Sequence, residues 1–192
     1  MIVSKRVDLA KESPPARVVI AHDYLTQRGG AERVVLAMLQ AFPDARVVTS
    51  LYAPDLTYPE FKQYDIRASW LTRIKPFERN NRLALPLLAP VWSRLDAGDA
   101  DVVLCSSTGW AHGIRTTVPK IVYCHNPARW LYQSDEYMTE AGAGARFGLR
   151  LLAPELRRWD KRKARQRQCF CRHWSIGGRL SGSSGSWGWY GA

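Results

Sequence analysis

Short runs of β-branched residues alternate along the chain with segments of helical spacing, and this alternation constrains the fold most strongly. Residues 17–21 form the first apolar run, and residues 31–42 place apolar side chains three or four apart until Pro43. Further strands are predicted at 45–51, 65–71, 100–105 and 120–123, and helices at 80–95, bent or broken at its prolines, and at 146–164, interrupted near Pro154. Strands that alternate with helices form parallel sheets. The sequence therefore predicts an α/β fold with a doubly wound parallel sheet.

The positive charge of the chain is concentrated at its C-terminal end. The formal net charge is +11, but residues 161–192 hold seven of the 28 Lys and Arg and none of the 17 Asp and Glu, so the preceding residues carry only +4. A total of +11 alone would indicate nucleic acid as a partner. A body at +4 instead suits acidic small molecules or an anionic membrane face. Nucleic acid is therefore not an expected partner.

Composition and segment lengths exclude several classes of protein. The longest apolar stretch, 83–92, is about half as long as a membrane-spanning helix and contains two prolines. Residues 1–15 have no apolar central run, so they do not predict a secretory signal, and we expect a cytoplasmic location. No zinc or disulfide spacing relates the four cysteines, which predicts reduced thiols: Cys105, Cys124, Cys169 and Cys171.

Polar residues and glycines follow the predicted strands at the edge where a parallel sheet binds its ligands. His22 and Asp23 follow the first strand and offer a base or hydrogen-bond partners for sugar hydroxyls. Gly29 and Gly30 lie in the next turn, where the backbone can approach a ligand and the following helix presents unpaired N–H groups. The alternative for these glycines is a plain tight turn.

Two later strand ends repeat this arrangement. Ser106 and Ser107 carry hydroxyls that bond a ligand or, alternatively, cap a helix. His125 and Asn126 precede a proline that restricts their backbone, so the imidazole either reaches into a cleft or makes local hydrogen bonds alone. Three aromatic residues follow, which predict a stacking platform for sugar or lipid or, alternatively, packing under a loop: Trp130, Tyr132 and Tyr137.

Motifs of three common enzyme classes do not occur at these strand ends. The turn at 27–30 has neither the dinucleotide-binding fingerprint nor the phosphate-binding loop of NTPases, which argues against a dehydrogenase or an NTPase. No Ser or Cys stands in a nucleophile elbow beside His22 and Asp23, which argues against a triad hydrolase.

Three segments occur in a specific order and spacing. They are IAHDYL running into GGAERV within 20–34, the pair Ser106 and Ser107, and VYCHNPARWLY at 122–132. Taken together, they resemble the N-terminal domain of family 4 glycosyltransferases, and the likeness runs from about residue 17 to residue 164. The resemblance implies a Rossmann-like sheet that forms one half of the fold named GT-B, in which two such domains face each other across a cleft.

The resemblance also implies an activity and residue roles. Family members transfer a sugar from a nucleotide-sugar donor to a glycan or lipid-linked acceptor, retain the anomeric configuration and need no metal or other cofactor. Many build cell-surface polysaccharide or lipopolysaccharide at the inner membrane face, which implies peripheral contact with anionic membrane. By resemblance His125 is catalytic and contacts the transferred sugar, Gly29 and Gly30 lie beside acceptor and donor phosphate, and Trp130 and Tyr132 lie near the acceptor. The other residues of the predicted substrate site are His22, Asp23, Ser106, Ser107 and Asn126.

The family's second domain, which binds the nucleotide sugar, has no counterpart after residue 164. We predict an N-terminal extension at 1–16, the Rossmann-like domain at 17–164, and a disordered basic tail of Gly, Ser and Trp at 165–192. The chain is then the acceptor-side half of an enzyme and is expected to be inactive alone; a codon comparison supports a frameshift near residue 166. One alternative is a separately encoded donor domain. The other is a non-enzymatic binding module whose tail contacts anionic lipid or nucleic acid.

Overall fold

A parallel β-sheet with helices packed against it forms the described part of the chain. The computed structural model describes residues 16–125, 131, 143–165 and 168–172. The strands are β1 Val18–His22, β2 Arg46–Thr49, β3 Ile66–Ala68, β4 Val102–Ser107, β5 Lys120–Cys124 and β6 Gln168–Arg172. The helices are α1 Gly30–Ala41, α2 Lys75–Arg79, α3 Leu85–Trp92 and α4 Ala143–Ala164, with 3-10 turns at Pro59–Gln63, Trp70–Arg73, Asn81–Ala84 and Ala111–Gly113.

The strand order places a topological switch point between β1 and β4. The order across the sheet is β3-β2-β1-β4-β5-β6, and every neighbouring pair is parallel. The chain runs outward from β1 on one side, then returns to build the other side from β4. Ligands of open α/β sheets bind outside the carboxyl ends of the strands at such a point. The predicted α/β fold with a Rossmann-like, doubly wound parallel sheet is confirmed.

The two faces of the sheet have separate apolar cores. All five residues of β1 are buried. Val19 and Ala21 pack with α3 and the Ala111–Gly113 turn, whereas Val18 and Ile20 pack with α1 on the opposite face. Successive strand side chains point to opposite faces, so a strand covered on both sides needs a continuous apolar run. This requirement explains the β-branched run that identified the first strand in the sequence.

Element ends agree with the sequence patterns at some positions and differ at others. Pro86 lies in the first turn of α3 and Pro90 lies inside it. Pro154 lies inside α4, which continues past it, so the predicted interruption is absent. Strand β4 extends two residues beyond the predicted end at 105 and therefore includes the two serines. Among the described residues, no helix has the length and apolar character needed to cross a bilayer.

Strand β6 lies in the stretch that the sequence analysis assigned to a disordered tail. Residues Gln168–Arg172 pair in parallel register with β5 and form the edge of the sheet. The sheet therefore continues past the predicted domain boundary at 164. Residues 173–192 lie outside the described residues, as do residues 1–15, so those parts of the predicted domain division stay predictions.

Candidate functional site

The candidate site lies where β1, β4 and β5 end at the carboxyl edge of the sheet. In the register of the parallel strands, His22 is opposite Ser106 and Ser107 is opposite Cys124. His125 directly follows β5, and its backbone N–H donates to the carbonyl of Ser107 at 3.0 Å. Four residues predicted from separate segments of the sequence therefore meet at the switch point: His22, Ser106, Ser107 and His125.

A continuous hydrogen-bonded chain links the two histidines through a serine. The Nδ1 atom of His22 lies 3.0 Å from both the carbonyl oxygen and the Oγ of Ser106. The same Oγ lies 2.8 Å from Nε2 of His125. His22 and Ser106 are buried, whereas His125 is half-buried and its ring meets the Tyr123 ring edge-on at 4.9 Å. Of the two histidines, His125 is thus the one that retains solvent access.

The Asp23 carboxylate organises the loop that follows β4. Its exposed fraction is 1%, and its oxygens accept hydrogen bonds from the backbone N–H groups of Thr108, Trp110 and Ala111 at 2.6, 3.2 and 2.6 Å. The hydroxyls of Ser107 and Thr108 also donate to it. Backbone donors that converge on one carboxylate satisfy a buried charge. Asp23 therefore has a structural role here, which its place after a strand did not indicate, while its predicted substrate role stays a prediction.

The glycine turn is shaped by a buried glutamate. Gly29 is the N-cap of α1, and its N–H donates to Oε2 of Glu32 at 3.1 Å. A Cβ at Gly29 would approach that Oε2 to 2.6 Å, whereas a Cβ at Gly30 would meet nothing within 4 Å. The N–H of Gly29 is therefore engaged within the turn, while the predicted role of the N–H groups of α1 in binding a ligand stays a prediction. Gly30 is exposed, and its predicted contact with a ligand stays a prediction.

Side-chain contacts tie the glycine turn to the loop after β2. The hydroxyl of Thr57 donates to the carbonyl of Gln27 at 3.0 Å, and Nε of Arg28 donates to the carbonyl of Thr57 at 3.1 Å. Arg33 donates to the hydroxyl of Tyr58 at 2.8 Å and lies over its ring. The first two contacts hold the turn against the loop after β2, and the third holds α1 against the end of the same loop.

A second polar cluster lies behind the site. His112 is buried, its Nε2 lies 3.1 Å from Oδ1 of Asp160 without the alignment of a hydrogen bond, and its ring packs against Trp159 at 5.4 Å. Trp159 donates to the hydroxyl of Ser93 at 2.7 Å. This cluster attaches α4 to the Ala111–Gly113 turn. The cluster was not predicted from the sequence, because its members are far apart along the chain and follow no motif.

Burial favours the neutral forms of two groups under the site, the Cys105 thiol and the Lys120 amine. Burial raises the pKa of the Cys105 thiol to about 12. Burial also lowers the pKa of Lys120, whose Nζ donates to the carbonyl of His112 at 2.7 Å. A thiol with a raised pKa is a poor nucleophile. Cys105 therefore acts as an apolar core residue.

The remaining predicted site residues are outside the described part of the chain. Asn126, Trp130 and Tyr132 fall there, as does Tyr137, so their predicted roles stay predictions. Over the described ranges, no group of three or more His, Cys, Asp or Glu side chains is arranged to hold a metal ion.

Comparison with known proteins gives one match. The family model described as Glycosyltransferase Family 4 matches residues 28–171, well over half of the chain. No curated protein and no solved structure matches the chain significantly. The matched range includes Ser106 and His125, begins after His22 and Asp23, and ends inside β6. It thus extends seven residues past the predicted domain end at 164.

Proposed function

Because the chain belongs to glycosyltransferase family 4, we propose that it is the acceptor-side domain of an enzyme that transfers a sugar from a nucleotide-sugar donor. The acceptor is a glycan or lipid-linked glycan, and the product belongs to cell-surface polysaccharide or lipopolysaccharide. The observation that supports this proposal is the meeting of His22, Ser106 and His125 at the switch point of the sheet. The family match supports a glycosyltransferase-like role in general.

The site is suited to binding and orienting a sugar. Imidazole and hydroxyl groups donate hydrogen bonds to sugar hydroxyls and accept hydrogen bonds from them. Of the three hydrogen-bonded residues His22, Ser106 and His125, the half-buried His125 is the one that a ligand reaches. The Asp23 contacts hold the β4 loop rigid beside it. A rigid arrangement lowers the entropy cost of placing an acceptor hydroxyl near a donor carbon. In the proposal His125 contacts the transferred sugar, and the exposed Gly30 permits close approach of the backbone.

The donor requires groups that we place on a partner domain. We propose that a second domain binds the nucleotide diphosphate and closes the cleft over this edge of the sheet, as in the two-domain arrangement that the family resemblance implies. The reaction then proceeds with retention of the anomeric configuration and without a metal ion. We therefore expect the chain alone to bind the acceptor with higher affinity than the nucleotide-sugar donor.

Replacement of His125 by Ala tests the proposed function. Isothermal titration would measure binding of short oligosaccharides, and of UDP-, GDP- and dTDP-linked hexoses, to the 192-residue chain. We expect at least one oligosaccharide to bind with a Kd on the order of 1 mM. His125→Ala should weaken that binding about tenfold, since it removes one ligand hydrogen bond in a partly dry site.

A matched variant and two contrary results complete this test. Lys62→Ala removes an exposed side chain whose partner, Asp55, is also exposed, so it should leave the affinity unchanged. The proposal fails if no oligosaccharide binds at about 10 mM. It also fails if His125→Ala binds as tightly as the parent chain.

One surface segment favours an anionic membrane as a further partner. Residues 67–94 carry six Lys and Arg and one acid, whereas the rest of 16–125 carries seven Lys and Arg and nine acids. Within the segment, Trp70 and Leu83 are each 54% exposed. Exposed aromatic and aliphatic side chains among basic residues are typical of interfacial membrane contact. We propose that this segment, the basic segment, contacts anionic lipid and brings a lipid-linked acceptor to the site.

Charge reversal in the basic segment tests the membrane contact. The double variant Arg73→Glu with Arg79→Glu should bind vesicles of equal parts phosphatidylglycerol and phosphatidylcholine at least about tenfold more weakly, because each base near the surface contributes about 1 kcal/mol. Co-sedimentation measures the bound fraction. The matched control, Lys62→Glu with Arg115→Glu, makes the same change in net charge elsewhere and should bind as the parent does. Equal losses in both double variants, or loss only on deletion of residues 173–192, would contradict the assignment to this segment.

A further inference from the structure

The Ser106 hydroxyl lies between two imidazole rings and has one proton to donate. Its Oγ is 3.0 Å from Nδ1 of His22 and 2.8 Å from Nε2 of His125. A hydroxyl donates one hydrogen bond and accepts through two lone pairs, and each neutral imidazole nitrogen either donates or accepts. Because the hydroxyl has a single proton, at most one of the two facing nitrogens can accept from it, and the direction of the Ser106 O–H bond therefore bears on both tautomers.

The carbonyl of Ser106 determines the proton on His22. Nδ1 of His22 lies 3.0 Å from that carbonyl oxygen, which only accepts hydrogen bonds. A lone pair on Nδ1 would face the carbonyl lone pairs in a buried site, which is unfavourable. The Nδ1 atom of His22 therefore carries a proton, and it donates to the carbonyl and to the Oγ of the same residue.

The hydroxyl of Ser106 then donates toward the other ring. Ser106 is fully buried, so its hydroxyl proton needs an acceptor. With Nδ1 of His22 protonated, the acceptor that the described residues offer is Nε2 of His125, at 2.8 Å. We propose that Ser106 is a positioning residue that fixes His125 as the tautomer protonated at Nδ1, through the hydrogen-bonded chain His22, Ser106, His125. The edge-on Tyr123 ring and the bond from the His125 backbone N–H to Ser107 hold the ring in reach of Ser106.

The fixed tautomer has a chemical consequence that rests on the proposed function. Nε2 of His125 is occupied by the serine proton, and Nδ1 carries the only proton of the neutral ring. A sugar oxygen at Nδ1 therefore meets a hydrogen-bond donor and no lone pair. In this tautomer His125 donates through Nδ1 and takes no proton there.

Nitrogen NMR of the histidine rings tests the tautomer directly. The 192-residue chain is labelled with ¹⁵N-histidine and examined at a pH at which the rings are neutral. Long-range ¹H–¹⁵N correlation spectra distinguish a protonated from an unprotonated ring nitrogen, and His→Gln variants assign the signals. We expect both His22 and His125 to carry their protons on Nδ1.

Variants of Ser106 separate positioning from general packing. Ser106→Ala should change the ratio of the His125 tautomers about tenfold in favour of the Nε2–H form, since one buried hydrogen bond is lost. Ser106→Thr keeps a hydroxyl and should keep the tautomer. Ser107→Ala makes the same chemical change at the next residue and should leave the His125 tautomer unaltered. The His112 signals provide a control in the spectra of the Ser106 variants alone, because the Ser107 hydroxyl lies 3.5 Å from Nδ1 of His112.

Two results would overturn the inference. One is an Nε2–H tautomer for His125 in the parent chain. The other is an unchanged His125 tautomer in Ser106→Ala while the amide signals of Thr108 and Ala111 show that the loop is intact. Failure of sugar binding in the titrations would contradict the proposed function and leave the tautomer result standing, so the two failures can be told apart.

Discussion

Replacing Asp23 by Asn is expected to lower the free energy of unfolding by on the order of 3 kcal/mol. One carboxylate oxygen accepts from the N–H of Trp110 and of Ala111, and the other accepts from the N–H of Thr108. An Asn side chain has one acceptor oxygen, and its NH₂ group would face at least one of these N–H donors. Buried donors then remain without an acceptor, which costs more than a lost exposed contact.

Urea denaturation followed by circular dichroism measures this loss. Asp55→Asn is the matched control, because Asp55 is an exposed carboxylate whose partner is Lys62 at the surface. Exposed ion pairs contribute little, so that variant should change the free energy of unfolding by less than about 0.5 kcal/mol. If the two variants are equally stable, the Asp23 carboxylate does not hold the β4 loop.

Adding one methyl group at Gly113 is expected to lower the free energy of unfolding by about 1–3 kcal/mol. A Cβ at Gly113 would lie 2.4 Å from Cζ2 of Trp159, well inside contact distance. The indole has little freedom to move, because it donates to Ser93 and packs against the rings of Trp110 and His112. Gly113→Ala should therefore displace α4 from the Ala111–Gly113 turn.

Thermal unfolding and tryptophan fluorescence report on this displacement. Gly30→Ala is the matched control, since a Cβ there meets nothing within 4 Å and the residue is the first of α1. Alanine favours helix over glycine by up to about 1 kcal/mol, so this variant should be as stable as the parent or more stable. A Gly113→Ala chain with parental stability and fluorescence would show that Trp159 does not pack there.

The sequence predicted the elements whose physical cause is local. A five-residue buried strand such as β1 requires apolar side chains on both faces, so its run of Val, Ile and Ala is visible without a structure. Polar residues at the ends of β1, β4 and β5 were correctly expected to share an edge, because parallel strands place their carboxyl ends together. The family resemblance rested on those same residues and is supported by the match to residues 28–171.

The partners of the site residues were not predictable from local pattern. The residues that donate hydrogen bonds to the Asp23 carboxylate lie some 85 positions further along the chain. Only the pairing of β1 with β4 brings them together. Nothing in the sequence distinguishes Glu32 from the exposed polar residues of a helix. In the structure it is buried, and its carboxylate accepts a hydrogen bond from the Gly29 N–H. Strand β6 was missed because its QCFCR sequence is short and mixes polar with apolar residues, and it gains its hydrogen bonds from β5.

We propose that an acceptor sugar binds where β1, β4 and β5 end, and chemical-shift mapping locates the bound sugar. The ¹⁵N-labelled chain would be titrated with the oligosaccharide that binds most tightly in the calorimetric panel. We expect the amide signals that move to belong to Asp23, Gly30, Thr108 and His125, at the carboxyl edge of the sheet. Movement confined to the opposite edge, at Arg17, Asp101 and Lys120, would contradict it.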